Sequence, residues 1–270
     1  MRKLCLVTTV VLVGCMDTSA PTLRETTFNQ PEISGPAPSA PVSADVVRQV
    51  CSEHALVTFV IDDGSMTDYT VKKPIFDAHR AVAVSAIVTT GHGPSTVSDD
   101  QLREMQAAGW EIASHSRTHP DLTKLTTDQL ESEIGGSKAE LQARGFAVTT
   151  FVYPYGRGNP VVARTARHYY AATAQIGWGL NKWRRRDPFR LGREIFGTQY
   201  ARPDRNSLAF YESQVDSARR AGRWLIYAVH ELIGSDAQNL NSLLDYIQAQ
   251  PVPIVTISQG LAVHAACRDR

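Results

Sequence analysis

From residue 55 onward, short apolar runs rich in β-branched residues alternate with stretches whose apolar positions recur every three or four residues. The runs at 55–61, 81–88, 110–114, 149–153, 171–174, 191–196, 224–230 and 253–257 predict strands. Helical patterns separate most of them, at 98–108, 126 to about 144, 162–168, 207–221 and 240–249. In the second of these, Leu130, Ile134, Lys138 and Leu141 follow helical spacing, and Gly109 and Gly145 stand where helices end. Strand–helix repetition predicts an α/β fold, a parallel sheet with helices outside it. No internal repeat or second domain is evident.

Polar residues follow the apolar runs in a regular way. Asp62-Asp63 ends the first run, His115 the third, Pro154-Tyr155 the fourth, and His230 the run before the last. In parallel α/β folds and barrels, functional residues gather at the C-terminal ends of strands. Four sites scattered in sequence are therefore expected on one rim.

The 270 residues suffice for one barrel-sized domain with a processed N-terminus and a tether. Hydrophobic residues make up 43% and charged residues 20%, enough apolar material for a core. Lys+Arg 28 against Asp+Glu 27 leaves a net charge of +1, which gives no electrostatic footing for nucleic acid as a partner. The dense basic run Arg184-Arg185-Arg186 reads as a solvated surface loop.

The N-terminus has its own pattern. Arg2 and Lys3 precede an apolar run over 4–13, too short to span a bilayer but suited to the core of a signal peptide. Leu12-Val13-Gly14-Cys15 resembles the lipobox of bacterial lipoproteins, in which Cys15 receives the lipid; an ordinary secretory signal cleaved near Ala20 is the alternative. The expected organisation is a signal peptide over 1–14, a Pro/Ser/Thr-rich tether over 15–50 starting at the lipidated Cys15, and a domain over 51–270. Such a chain is exported to the bacterial cell envelope, held to a membrane by lipid without crossing it. Cys51 and Cys267 remain in the exported part, either joined as a disulfide or as two free thiols.

Within 114–120, His115 and His119 stand four apart, so one turn of helix or a loop curled like one would aim both at a single cation. That spacing alone is weak evidence. Adjacent carboxylates at a buried strand end, Asp62-Asp63 before Gly64, strengthen it, because they need a cation or hydrogen bonds to be tolerated. A helix cap and a turn residue are the structural alternative for that pair. Two imidazoles and one carboxylate leave coordination positions open for water and substrate, as in catalytic zinc sites. No Gly-x-Ser-x-Gly occurs, which argues against a serine esterase.

These residues match a known pattern. Val60-Ile61-Asp62-Asp63-Gly64, His115-Ser116-Arg117-Thr118-His119, Phe151-Val152-Tyr153-Pro154-Tyr155-Gly156 and Leu225-Ile226-Tyr227-Ala228-Val229-His230 stand in order. Together they resemble the motifs of polysaccharide deacetylases with a NodB homology domain, carbohydrate esterase family four, in the Tyr-Pro-Tyr-Gly version found among exopolysaccharide deacetylases. The resemblance implies a distorted (β/α) barrel of about seven strands. It implies a divalent metal, zinc or else cobalt, nickel or iron, bound by Asp63, His115 and His119. Asp62 is then the general base, His230 the general acid, and the Tyr155 backbone N–H part of the oxyanion site. The implied reaction is removal of N-acetyl groups from an acetylated polysaccharide. An O-acetyl esterase of xylan type and an inactive carbohydrate-binding protein on the same scaffold are the alternatives. Val152 stands where many relatives carry the Arg that orients the base; Arg193 is the candidate replacement, an ordinary ion pair being its other reading. Asp187 is a candidate carboxylate partner for His230, Glu231 stands where many relatives have Asp, and Tyr69 could reach substrate.

Overall fold

The computed structural model describes residues 41–53, 55–91, 93–182 and 187–268. The expected signal peptide, Cys15, most of the expected tether and the Arg184-Arg185-Arg186 run lie outside the described residues.

Strands β1 (Leu56–Ile61), β2 (Val84–Ile87), β3 (Glu111–Ser114), β4 (Thr150–Val152), β5 (Ala172–Ile176), β7 (Leu191–Phe196) and β8 (Arg223–Val229) run parallel in that spatial order. The sheet closes on itself through β1 and β8, paired from Leu56↔Trp224 to Ile61↔Val229. The result is a closed barrel of parallel strands with helices around it, the distorted (β/α) barrel expected from the sequence. A short strand, β6 (Leu180–Lys182), adds an antiparallel pairing to the lower half of β8.

Burial on both faces explains why the strands read as continuous apolar runs and not as alternating ones. In β1, all six residues are buried. Leu56 and Val60 join Val84, Ala113, Val152, Leu191 and Ile226 inside the barrel. Val57, Phe59 and Ile61 pack outward against apolar residues of the surrounding helices. Those helices are α1 (Ala44–Glu53), α2 (Lys73–Ala78), α3 (Asp99–Ala107), α4 (Thr127–Leu130), α5 (Gly136–Ala143), α6 (Pro160–Tyr169), α7 (Leu208–Ala221), α8 (Asp236–Ala249) and α9 (Ile257–Arg268). Their starts are coded locally. Ser98 with Gln101 and Thr126 with Gln129 form capping boxes, and Asn159 caps α6 ahead of Pro160.

Helices α1 and α9 close the N-terminal end of the barrel, where Val50, Ile257 and Val263 enter the interior cluster. A disulfide between Cys51 and Cys267 joins the two helices, with Cα atoms 5.2 Å apart.

Four features differ from the sequence-based expectation. Residues 253–257 form no strand: Ile254 makes an isolated bridge to Val57 and α9 begins at Ile257. Pro251 and Pro253 lack the N–H groups a ladder needs. Helix α1 lies largely inside the segment expected to be tether, because Val46, Val47 and Val50 bury against the barrel floor. The helix expected over 126–144 widens into a π-helical turn, Glu131–Gly135, between α4 and α5. A side chain at Gly135 would strike Tyr169, and one at Gly136 would strike Arg117, so this widened turn is pressed closely against its neighbours. Strand β6 escaped notice because Gly177 and Gly179 flank it and only Leu180 in it is apolar.

Candidate active site and metal centre

The rim at the strand C-termini is built by backbone turns that side chains rarely adopt. Asp63 has φ 80 and Gly64 φ 69, so the chain reverses sharply after β1. A Cβ on Gly64 would press on Ile87 as well as disfavour that φ. Ser116, His119 and Tyr155 are also left-handed, at φ 69, 59 and 55. Such conformations persist only where the surroundings enforce them, and they cluster at functional sites.

Consecutive residues after β1 consequently point apart. Asp62 turns into the barrel and is 4% exposed, while Asp63 stands at the open rim. Arg193, completely buried on β7, donates from Nη1 to Asp62 Oδ1 at 2.6 Å. That leaves Oδ2 facing His230 Nε2 at 3.5 Å and His115 Nε2 at 3.9 Å. Burial raises the Asp62 carboxyl, but the charge of Arg193, with His115 and His230, outweighs it and holds the group below its ordinary value.

Asp63, His115 and His119 converge, one ligand atom from each lying within 4.8 Å of the others. Asp63 Oδ1 is 3.6 Å from His115 Nε2 and 3.5 Å from His119 Nε2. Ligands held at zinc-type distances around a tetrahedral ion stand roughly 3.3 Å from one another, so these separations suit a shared cation better than direct hydrogen bonds. His115 donates from Nδ1 to the Val152 carbonyl at 2.8 Å, which keeps Nε2 as the free ligand atom. Burial pushes the His115 pKa down, favouring the neutral, ligating form. The donor set therefore fits a divalent cation.

The two histidines do not share a helix. They sit on a loop curled by Ser116, whose Oγ accepts the His119 N–H at 3.0 Å. Glu133, from the π-helical turn, accepts the N–H groups of Arg117 and Thr118 and the Thr118 hydroxyl, at 2.7 to 3.0 Å. Sequence reading missed Glu133, since nothing local marks a helical Glu as a loop clamp. It also missed Tyr200, whose ring meets His230 edge-on at 4.7 Å. Tyr155 packs likewise on His119, at 4.7 Å, and is exposed.

Two further candidates named from the sequence make contacts of their own. Asp187 pairs with Arg167 and caps Phe189 N–H, so it is committed elsewhere, and His230 Nδ1 is buried without a hydrogen-bond partner among the described residues. Tyr69 donates its hydroxyl to Glu104 of α3. Among the remaining histidines, His79 bonds Ile75 O and Asp245 beside α2, a structural role, while His54 and His92 lie outside the described residues.

Residues 49–173 match the family model described as polysaccharide deacetylase, a stretch that holds Asp62, Asp63, His115, His119 and Tyr155 and ends before Arg193 and His230. The chain is 31% identical over 114 residues to YxkH of Bacillus subtilis (strain 168), a polysaccharide deacetylase by name; the match covers 41% of this chain and 40% of YxkH. It thus spans less than half the length of that relative. Among solved structures, the peptidoglycan deacetylase PdaC of Bacillus subtilis aligns with a TM-score of 0.57 at 18% identity, covering 79% of this chain and 93% of that one. A family-four acetyl xylan esterase from Clostridium thermocellum, solved with a cobalt ion, aligns with a TM-score of 0.57 at 16% identity, covering 77% and 91%. The sequence similarity to polysaccharide deacetylases thus lies in the first part of the barrel, and the similarity to the solved structures is one of fold.

Proposed function

We propose that this protein is a metal-dependent hydrolase that removes N-acetyl groups from an acetylated polysaccharide. The carrying observation is that Asp62, with Arg193 on one oxygen, presents the other to His230 beside the Asp63–His115–His119 cluster. A divalent cation held by those three residues would act as a Lewis acid on the amide carbonyl and on water; cobalt in the Clostridium thermocellum structure supports this choice, and zinc, nickel or iron suit the same donors. Asp62 Oδ2, already ionised, takes the proton of the attacking water. The Tyr155 N–H, carried on a left-handed turn at the rim, donates to the developing oxyanion. His230 Nε2 gives its proton to the departing nitrogen, which leaves poorly as an anion; acetate and a free amine are the products. A proton donor beside the base favours amide over ester cleavage, because an alkoxide leaves more readily than an amide anion.

The lipobox-like Leu12-Val13-Gly14-Cys15 supports an envelope lipoprotein acting on extracellular glycan. Replacing Cys15 by Ala is expected to shift the protein from membrane to soluble fraction; unchanged fractionation would refute the anchor. For the chemistry, acetate release is to be measured from N-acetylglucosamine polymers, peptidoglycan and acetylated xylan, with chelator and with metal restored. Release from an N-acetylated polymer that stops with chelator and returns with metal is expected. Glycan binding without any release would establish the inactive alternative, and release from xylan only would establish the esterase.

A further inference from the structure

His230 lacks the support that His115 has. His115 Nδ1 is held by a carbonyl, whereas His230 Nδ1 is buried without a hydrogen-bond partner among the described residues. The His230 ring touches the Tyr200 edge and faces Asp62, and neither contact is a hydrogen bond. Its position must therefore be set largely through its own backbone.

The next residue is held tightly. Ser65 Oγ donates to Glu231 Oε1 at 2.5 Å and Thr67 Oγ1 donates to Oε2 at 2.6 Å. Lys72, 1% exposed, lies 3.7 Å from Oε2 and donates to Thr67 Oγ1 and Asp68 Oδ1, both at 2.8 Å. The Glu231 N–H donates to Gln199 Oε1 at 3.1 Å, one residue before Tyr200. Loops following β1, β7 and β8 thus meet at Glu231, the first at its carboxylate and the second at its backbone N–H. Burying the Lys72 ammonium is costly unless anions face it, so the clamp is favoured as a unit and lost as a unit. Burial raises the Glu231 carboxyl, but the Ser65 and Thr67 hydroxyls and Lys72 outweigh it and keep the group an anionic acceptor.

We propose that Glu231 is a positioning residue for His230: its carboxylate ties the residue after the proton donor to the loop leaving Asp63, and so fixes where His230 Nε2 stands. The assignment rests on His230 acting as the proton donor. A general structural staple would slow every reaction of the site; a positioning role through His230 slows only those whose leaving group needs a proton. An N-acetylated glycan needs one, and an aryl acetate, with its acidic phenol, does not.

The test compares Glu231→Gln, Glu231→Asp and Thr67→Val with wild type in the metal-loaded protein. Glu231→Gln is expected to lower kcat on the glycan by about 10- to 100-fold with little change in KM, because small misplacements of a catalytic group have effects of that order. Aryl acetate hydrolysis and bound metal should be unchanged, Glu231→Asp should recover part of the loss, and Thr67→Val should show a smaller loss of the same kind. A readout independent of turnover is the nuclear Overhauser contact between the Tyr200 and His230 rings, expected in wild type and lost in Glu231→Gln. Persistence of that contact, or equal losses on both substrates, overturns the proposal. If Glu231→Gln does not fold, Thr67→Val carries the same two readouts. A wild type that releases no acetate from any glycan would sink the deacetylase reading, while the ring contact would still decide the clamp.

Discussion

The two ends of the barrel solve opposite problems. At the N-terminal end several buried polar groups are paired: Glu111 accepts from the Thr150 hydroxyl at 2.5 Å and from Ser258 N–H and Oγ at 2.8 and 2.7 Å, and the Trp224 indole donates to Thr58 at 2.9 Å, although Trp110 Nε1 and Thr149 Oγ1 have no partner among the described residues. Apolar side chains and a disulfide complete that floor. At the C-terminal end, Asp62 and Arg193 are buried charges, Arg193 Nε and Nη2 and His230 Nδ1 have no partners among the described residues, and Asp63, Ser116, His119 and Tyr155 sit in left-handed backbone. Among the described non-glycine residues with positive φ, Arg80 alone lies away from this rim. One end is built mainly of apolar packing and a disulfide, the other of buried charge and left-handed backbone, and the packed floor supports the strain of the rim.

Substitutions should therefore separate activity from stability according to the end they touch. The largest effect is expected at the base. Asp62→Asn should lower acetate release by about 10²–10⁴-fold while metal content stays, since an amide cannot accept the water proton. Asp63→Asn should instead weaken metal binding, with activity partly restored by excess metal. Elemental analysis beside acetate assays decides this, and the reverse pattern would exchange the two roles.

Next comes Arg193→Met, which strikes both properties at once. It leaves the Asp62 carboxylate buried and unpaired, at about 3–5 kcal/mol in unfolding experiments. The pH consequence has a definite sign. Asp62 is held below its ordinary value of 3.8, so its contribution to stability is present above that pH and is lost as pH falls through the lower folded value. Without Arg193, burial dominates and the carboxyl rises, so the acid limb of the kcat/KM profile should move to higher pH. An unmoved limb would show that Arg193 does not tune the base.

At the floor, Cys51→Ser should cost about 2–5 kcal/mol of stability, since the bridge closes a loop with a sequence separation of 216. Its kcat should stay near wild type at temperatures where it is folded. A large fall in kcat would break the division between the two ends. The smallest effect is expected at Arg80, where φ is 50. Arg80→Gly should leave activity intact and raise stability by up to about 1 kcal/mol, the relief of left-handed strain less the added chain entropy. Urea titration resolves both, and a loss of stability would show that Arg80 is held by contacts worth more than its strain.

Much of the barrel was legible in the chain because buried parallel strands are written as apolar runs, and Ser98, Thr126 and Ser207 cap helices near the expected positions. The metal-type cluster was legible as polar residues punctuating those runs. What misled was local pattern without its tertiary partner. The 253–257 run is apolar and β-branched, yet it bridges β1 at one point before α9 begins. The His115/His119 spacing left a helical turn and a curled loop both open, and only the contacts of Glu133 and Ser116 select the loop. Asp187, a candidate carboxylate for His230, is held by Arg167 instead.

Sequence by itself determined the strand–helix order, the strand ends at which Asp62, Asp63, His115, Tyr155 and His230 stand, and the pair of cysteines left to the domain. These depend on periodicity and residue type, which are local properties. Tertiary structure alone decided that Arg193 bonds Asp62 across 131 positions and that Glu231 reaches Ser65 across 166. It also decided that no carboxylate among the described residues bonds His230 Nδ1. Such pairings are chosen by barrel closure, which brings β7 and β8 beside β1, and closure is a global solution that no window of sequence contains.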